Sequence, residues 1–167
     1  MLKIWDSLSR RWLYLIGALI VAALFCSALY LQYALHQDPC PLCMVQRVIF
    51  IAIGALFFVA ALLNAGTIAS RTFSILIALF ALGGVAVASR HIWIQHLPKD
   101  QVPACGPGLD FMLKHFPMSE VWQELMHGSG ECAAKGWTFL TLGIPEWSLA
   151  WFVLLGLFSV LVGWKKR

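Results

Sequence analysis

Charge is scarce in this 167-residue chain. Asp, Glu, Lys and Arg together make up 12% of it, while 60% is hydrophobic; a soluble domain carries about 25% charged residues and about 45–50% apolar ones. That balance excludes an ordinary soluble globular domain and places the chain in a lipid bilayer. The net charge of +4 is not gathered into one basic patch, so no nucleic-acid footprint is present. Several cofactor signatures are missing as well. There is no Cys-x-x-Cys-His for covalent haem, no Gly-x-Gly-x-x-Gly for a dinucleotide and no cysteine series for an iron–sulfur cluster. No internal repeat or low-complexity tract interrupts the chain. Its length allows one domain, with no room for both a helical bundle and a separate soluble catalytic unit.

What is present is four apolar runs. A short basic start (Lys3, Arg10, Arg11) leads into a charge-free stretch from Trp12 to Gln32, about the 20 residues a helix needs to cross a bilayer. A signal peptide would have a shorter apolar core and a small-residue cleavage site, so this run reads as an uncleaved first span. Cys26 lies deep within it and reads as a small buried hydrophobe. Membrane helices are expected over about 12–33, 42–64, 72–93 and 147–164, with connections at about 34–41 and 94–146. The third run holds a strip of small residues, Gly83, Gly84, Ala86 and Ala88, of the kind that lets membrane helices approach closely. Trp147 and Trp164 bracket the fourth as interfacial anchors.

Four spans put both termini on one side. Lys3, Arg10, Arg11, Arg71, Lys165, Lys166 and Arg167 fall there, seven of the twelve basic residues, and the positive-inside rule makes that side cytoplasmic. All seven prolines and four of the five cysteines fall on the outer side. The expected fold is therefore an all-α membrane protein, a four-transmembrane-helix bundle with a long loop between helices 3 and 4 on the outer side, periplasmic if the source is a bacterium. A connection as long as 94–146 is uncommon unless it has a function. Within it, Ser119 to His127 suits a short helix, lying either on the membrane surface or against the protein.

The chemistry centres on Pro39-Cys40-Pro41-Leu42-Cys43-Met44-Val45-Gln46-Arg47. With Pro41 at the first helical position, Cys40 becomes the N-cap and Cys43 lies in the first turn. A thiolate there meets free backbone N–H groups and the positive end of the helix dipole, which stabilise it; Asp38 opposes this. Arg47 shares a helix face with Cys43. The plain alternatives are a structural disulfide, or half of a zinc site, with Arg47 snorkelling to the headgroups.

Cys105 and Cys132 are separated by 26 intervening residues in Gly- and Pro-rich surroundings. A staple closing that loop would contribute on the order of 3–4 kcal/mol. A mobile loop also suits a bond meant to be attacked, since exchange requires one sulfur to reach another. Four cysteines suggest zinc too, but structural sites usually pair two short knuckles and only Cys40-x-x-Cys43 is present. Electrons collected by thiols need an acceptor, and a lipid-soluble one fits best. Its site is expected where the Cys40/Cys43 end of helix 2 meets the outer end of helix 3, which carries Arg90 and His91. Arg47, an intramembrane cation, is a candidate to hold it. Interface anchoring is the alternative for Arg47 and Arg90, and satisfied or surface roles for the histidines.

Taken together, the four spans, Cys-Pro-Leu-Cys followed by Arg47, and two loop cysteines with Gly-Leu-Asp-Phe-Met-Leu close after the first resemble the DsbB family of bacterial inner-membrane disulfide-bond formation proteins. Arg90-His91 running into Leu97-Pro98, Trp137-x-Phe139-Leu140 and Ile144-Pro145-x-Trp147 extend the likeness over essentially the whole chain. The resemblance implies a quinone-dependent protein-disulfide oxidoreductase. Cys105 would form the mixed disulfide with a DsbA-like periplasmic thiol oxidase, and Cys132 would be its loop partner. Cys132 would pass electrons to Cys40, and Cys43 would stand beside the quinone with Arg47 assisting. Ubiquinone is the expected acceptor and menaquinone its anaerobic alternative. Gln46, where some members carry an acidic residue, and Gly106-Pro107-Gly108 depart from the pattern. Rival readings are a specialised DsbI-like oxidase serving one substrate, and a non-enzymatic scaffold with structural disulfides.

Overall fold

A computed structural model describes residues 9–37, 39–98, 101, 109–127, 130–133 and 136–165. Four long helices carry the fold: α1 (Arg10–Ala34), α2 (Pro41–Leu62), α3 (Thr67–Gln95) and α6 (Ile144–Gly163). Each is long and apolar enough to cross a membrane. Two short helices, α4 (Leu109–His115) and α5 (Met118–His127), a 3₁₀ turn at Gly130–Ala133 and a two-stranded hairpin, β1 (Thr138–Phe139) with β2 (Leu142–Gly143), occupy the connection before α6. The hairpin is antiparallel, pairing Thr138 with Gly143 and Phe139 with Leu142. Leu140 and Thr141 at its tip both take positive φ, the backbone twist that a two-residue hairpin turn demands.

Lipid tails are as apolar as leucine, so close packing rather than water exclusion holds membrane helices together. The buried face of α3 shows how the sequence provides it. Ser70, Ser74, Ile77, Ala81, Gly84, Ala88 and His91 recur at alternating steps of four and three along that helix and are all buried. This is the 3.5-residue period of a supercoiled seam. Against it α6 runs antiparallel. A Cβ on Gly84 would stand 2.5 Å from the ring of Phe152, one on Gly156 3.2 Å from Ala81, and one on Gly163 2.5 Å from Ser74. The strip of small residues expected in the third span therefore divides: Gly84 and Ala88 face the core, whereas Gly83 and Ala86 are exposed. On the other side of the bundle α1 packs on α2. Gly17 admits the Phe57 ring and Gly54 admits Val21.

The buried tyrosine and serine hydroxyls of the bundle are paired, as groups without access to water must be. Tyr14 donates to the Ser70 carbonyl at 3.0 Å, and the Ser74 hydroxyl donates to the Ser159 carbonyl at 2.6 Å. The Arg10 guanidinium donates to the Lys165 carbonyl and to the Thr67 hydroxyl. Those bonds draw the start of α1, the start of α3 and the end of α6 to one end of the bundle.

One detail differs from expectation, and one of the two readings of the 119–127 helix is selected. Cys26 is exposed on the outer face of α1 rather than buried in protein, because the buried stripe of that helix runs through Tyr14, Gly17 and Val21. The predicted short helix at 119–127 is α5, and Val121 is buried with Met112 of α4 and against Val45 of α2, so α5 rests on the bundle.

The seam makes adjacent glycines unequal. Gly84→Ala should destabilise the protein by about 1–3 kcal/mol through overpacking against Phe152. Gly83→Ala, where the new methyl meets nothing within 4 Å, should be neutral or slightly stabilising. Thermal unfolding of the two variants in detergent checks this; equal behaviour would contradict the packing described.

Candidate functional site

The site is built at the N-terminus of α2. Cys40 is its N-cap in extended conformation and Pro41 occupies the first turn, as the Cys-Pro order predicts. The Cys40 sulfur accepts the Cys43 backbone N–H at 3.4 Å, so a thiol does what a serine hydroxyl usually does at a cap. The cap also brings the two thiols together, with Sγ of Cys40 and Sγ of Cys43 3.0 Å apart.

Two further groups converge on Cys40. His91, at the outer end of the buried stripe of α3, places Nε2 3.7 Å from the Cys40 sulfur. Its Nδ1 lies 3.3 Å from Nε2 of Gln46. An amide nitrogen only donates, so in this arrangement Gln46 donates to Nδ1 and the ring proton sits on Nε2, aimed at sulfur. Cys132, in the 3₁₀ turn, is fully buried. The ligating atoms of Cys40, His91 and Cys132 all lie within 4.8 Å of one another. Cys40 and Cys132 share a small apolar cluster with Leu42, Val87 and Ile94, which keeps water from the two sulfurs. None of Cys40, Cys43 and Cys132 forms a disulfide in this structure. Cys105 lies outside the described residues, and so does the Gly106-Pro107-Gly108 stretch after it.

Beneath the thiols is a cavity of about 590 Å³, within the roughly 300–1,000 Å³ usual for small-molecule sites. α1, α2, the outer end of α3, the hairpin and the first turns of α6 all contribute to its wall. Cys43, Arg47, His91 and Glu146 line it together with aromatic rings such as Phe50 and Trp147. Arg47 does not reach for the headgroups. One guanidinium nitrogen donates to the Gln32 side-chain oxygen at 2.5 Å and another to the Ala28 carbonyl at 3.2 Å, which pins the cation to α1 beside the cavity. Arg90 takes a different direction. It is absent from the cavity wall and its guanidinium sits 4.2 Å over the Trp93 ring, because residue 90 precedes the buried stripe position of His91 by a 100° step around the helix.

Sequence reasoning missed three contributors. Gln32 holds Arg47, Gln46 holds His91, and Glu146 presents an oxygen, Oε2, that is buried without a hydrogen-bond partner. Each is a lone polar residue in or beside an apolar run, a signal that was available. The hairpin is held over the cavity by Trp147, whose indole N–H donates to the Phe139 carbonyl at 3.1 Å. Gln37 fastens the other rim by accepting the Trp137 backbone N–H at 3.2 Å.

The arrangement can exchange disulfides: one sulfur, that of Cys40, stands within reach of two others in a water-poor pocket, with a ring N–H directed at it. Comparison with known proteins agrees with that chemistry. Residues 10–162 match the family model described as disulfide bond formation protein DsbB. The chain is 41% identical over 159 residues to disulfide bond formation protein B of Methylococcus capsulatus, covering 95% of this chain and 97% of that one. It is 47% identical over 146 residues to the protein of the same name from Hahella chejuensis, covering 87% and 88%. It is 44% identical over 152 residues to disulfide bond formation protein B 1 of Pseudomonas aeruginosa, covering 91% and 93%. Four membrane-crossing helices, a thiol cluster at one end of the bundle and likeness along nearly the whole length lead to one conclusion: the chain belongs to the DsbB family of membrane disulfide-bond formation proteins.

Proposed function

We propose that the protein reoxidises a periplasmic dithiol protein of the DsbA kind by thiol–disulfide exchange and delivers the electrons to a membrane quinone, ubiquinone or alternatively menaquinone. The observation that carries this reading is the position of Cys40, whose sulfur lies 3.0 Å from that of Cys43 and within 4.8 Å of that of Cys132, at the wall of a cavity.

Each exchange balances. A partner thiolate attacks Cys105 of a Cys105–Cys132 disulfide, forming a mixed disulfide and releasing the Cys132 thiolate; the partner's second thiol then resolves the mixed disulfide and frees Cys105. Cys132 attacks Cys40 of a Cys40–Cys43 disulfide, forming Cys40–Cys132 and releasing Cys43 as a thiolate. Cys105 attacks Cys132 in turn, restoring the loop disulfide and releasing Cys40. The two thiols of α2 then hold the electron pair. The His91 N–H aimed at Cys40 supports negative charge on that sulfur whenever it leaves, and the free N–H groups of the first turn do the same for Cys43.

The cavity's donor set suits a quinone. Its walls are mostly apolar and aromatic, and its polar groups include a fixed guanidinium, imidazole rings and a carboxyl. The buried, unpartnered oxygen of Glu146 is the kind of group that calls for a ligand or water, and a carboxyl there can give or take a proton at a ligand oxygen. Arg47, held by Gln32 and Ala28, has N–H groups left for a carbonyl oxygen. A bound quinone supplies a two-electron, two-proton acceptor.

The same reading orients the molecule. Arg10 and Lys165 meet at one end of the bundle, the end rich in Lys and Arg, so that end is cytoplasmic. The thiols and the hairpin then face the periplasm, where disulfides persist.

Two experiments test the electron route. Cys43→Ser should abolish quinone reduction while the loop disulfide still oxidises one equivalent of reduced partner; normal quinone turnover by that variant would contradict the route. Arg47→Gln removes a charge-assisted hydrogen bond of about 1.5–3 kcal/mol, so it should weaken quinone binding roughly 10–100-fold. That is measured by the KM for quinone and by quenching of tryptophan fluorescence, since Trp137, Trp147 and Trp151 line the cavity. An unchanged binding curve would remove Arg47 from the site.

A further inference from the structure

The chain has a single Cys-x-x-Cys knuckle, half of what structural zinc sites usually assemble from sequence. The fold brings two further donors to the first of its cysteines. His91 arrives from the outer end of α3 and Cys132 from the 3₁₀ turn, and their ligating atoms stand within 4.8 Å of each other and of the Cys40 sulfur. Around a tetrahedral zinc with bonds of about 2.3 Å to sulfur and about 2.0–2.1 Å to nitrogen, neighbouring donors lie about 3.5–3.8 Å apart. Cys40 Sγ and His91 Nε2 are 3.7 Å apart. Cys43 Sγ lies 3.0 Å from Cys40 but is not one of the three donors that all stand within 4.8 Å of one another. All three core donors are buried, Cys132 completely and His91 to 2% exposure, so the cluster is shielded from competing water.

We infer that the fully reduced protein binds one soft divalent cation, Zn²⁺ or Cd²⁺, through Cys40, Cys132 and His91. Binding replaces thiol protons with metal–sulfur bonds and involves no electron transfer. It withdraws Cys40 from exchange, so metal and disulfide are mutually exclusive occupants of the same sulfurs. Gln46 belongs to the site as well. A metal-bound imidazole normally donates its second ring N–H to an acceptor. Gln46 lies 3.3 Å from Nδ1 and provides that acceptor by turning its amide over, with its oxygen toward the ring. The metal would thereby regulate the relay proposed above, and the inference rests on that reading for its consequence but not for the binding itself.

The test uses the full-length protein in detergent, reduced with a phosphine and titrated with Cd²⁺. One equivalent should bind, with thiolate-to-cadmium charge-transfer absorption in the ultraviolet. The Cys40–Cys43 oxidised protein should show no such band. Cys132→Ser and His91→Ala should lose the site, and Gln46→Leu should weaken it roughly 10–100-fold. Zn²⁺ should slow reoxidation of the reduced thiols, and a chelator should restore the rate. Absence of the band in the reduced wild type, or equal affinity in His91→Ala, overturns the inference. Quinone turnover is measured separately on metal-free protein, so failure of the electron relay and failure of the metal site give different results.

Discussion

The whole arrangement depends on a sulfur atom acting as a helix cap. Because Cys40 accepts the Cys43 backbone N–H, its side chain is turned back over the first turn of α2 rather than away from the bundle. That orientation sets it against Cys43, brings it under His91 and leaves it open to Cys132. Pro41 locks the entry, since its fixed φ suits the first helical position and its missing N–H costs nothing there. A cap built from a hydroxyl would give comparable helix geometry and no chemistry.

Holding that sulfur in place requires a bundle that does not yield, and the bundle is tightened by small residues rather than large ones. Gly84, Ala81 and Ser74 let α6 approach α3 closely, and the Phe152 ring that fills the space beside Gly84 also stacks on Phe50 of α2 at 4.1 Å. Phe50 in turn lines the cavity. The contacts that fix helix separation are thus continuous with the walls of the site. The polar pins follow the same logic. Arg47 to Gln32 and Ala28 ties α2 to α1, and Gln46 to His91 ties α2 to α3, so the cavity's polar groups are set by bonds that also position the helices.

Much of this was legible in the residues. The four spans follow from length and apolarity, and the cap at Cys40 follows from Cys-Pro order. His91 was readable in a stronger sense: it continues the four-and-three spacing of Ser70, Ser74, Ile77, Ala81, Gly84 and Ala88, so the stripe that buries the core of α3 delivers it to the thiols. The same stripe explains why Arg90, its neighbour, goes elsewhere. What was not legible came from pairings between distant segments. Nothing local to Gln32 says that it meets Arg47, and nothing in the Gly-rich surroundings of Cys132 says that its sulfur is fully buried beside Cys40. The hairpin at 138–143 was hidden because its turn uses Leu140 and Thr141 at positive φ in place of the Asn-Gly or Asp-Gly that usually announces such a turn. Glu146 was passed over as a variable position between Pro145 and Trp147, yet it carries the buried, unpartnered oxygen of the cavity wall.

The central claim is that Cys40 is the sulfur through which the two thiol pairs communicate. The most direct measurement is peptide mass mapping, without reduction, of a Cys43→Ala/Cys105→Ala double variant purified under mild oxidation, since the variant leaves Cys40 and Cys132 without the partners proposed for them. The account predicts a cross-linked peptide joining Cys40 to Cys132. Recovery of both cysteines as separate, fully alkylated thiols would contradict it.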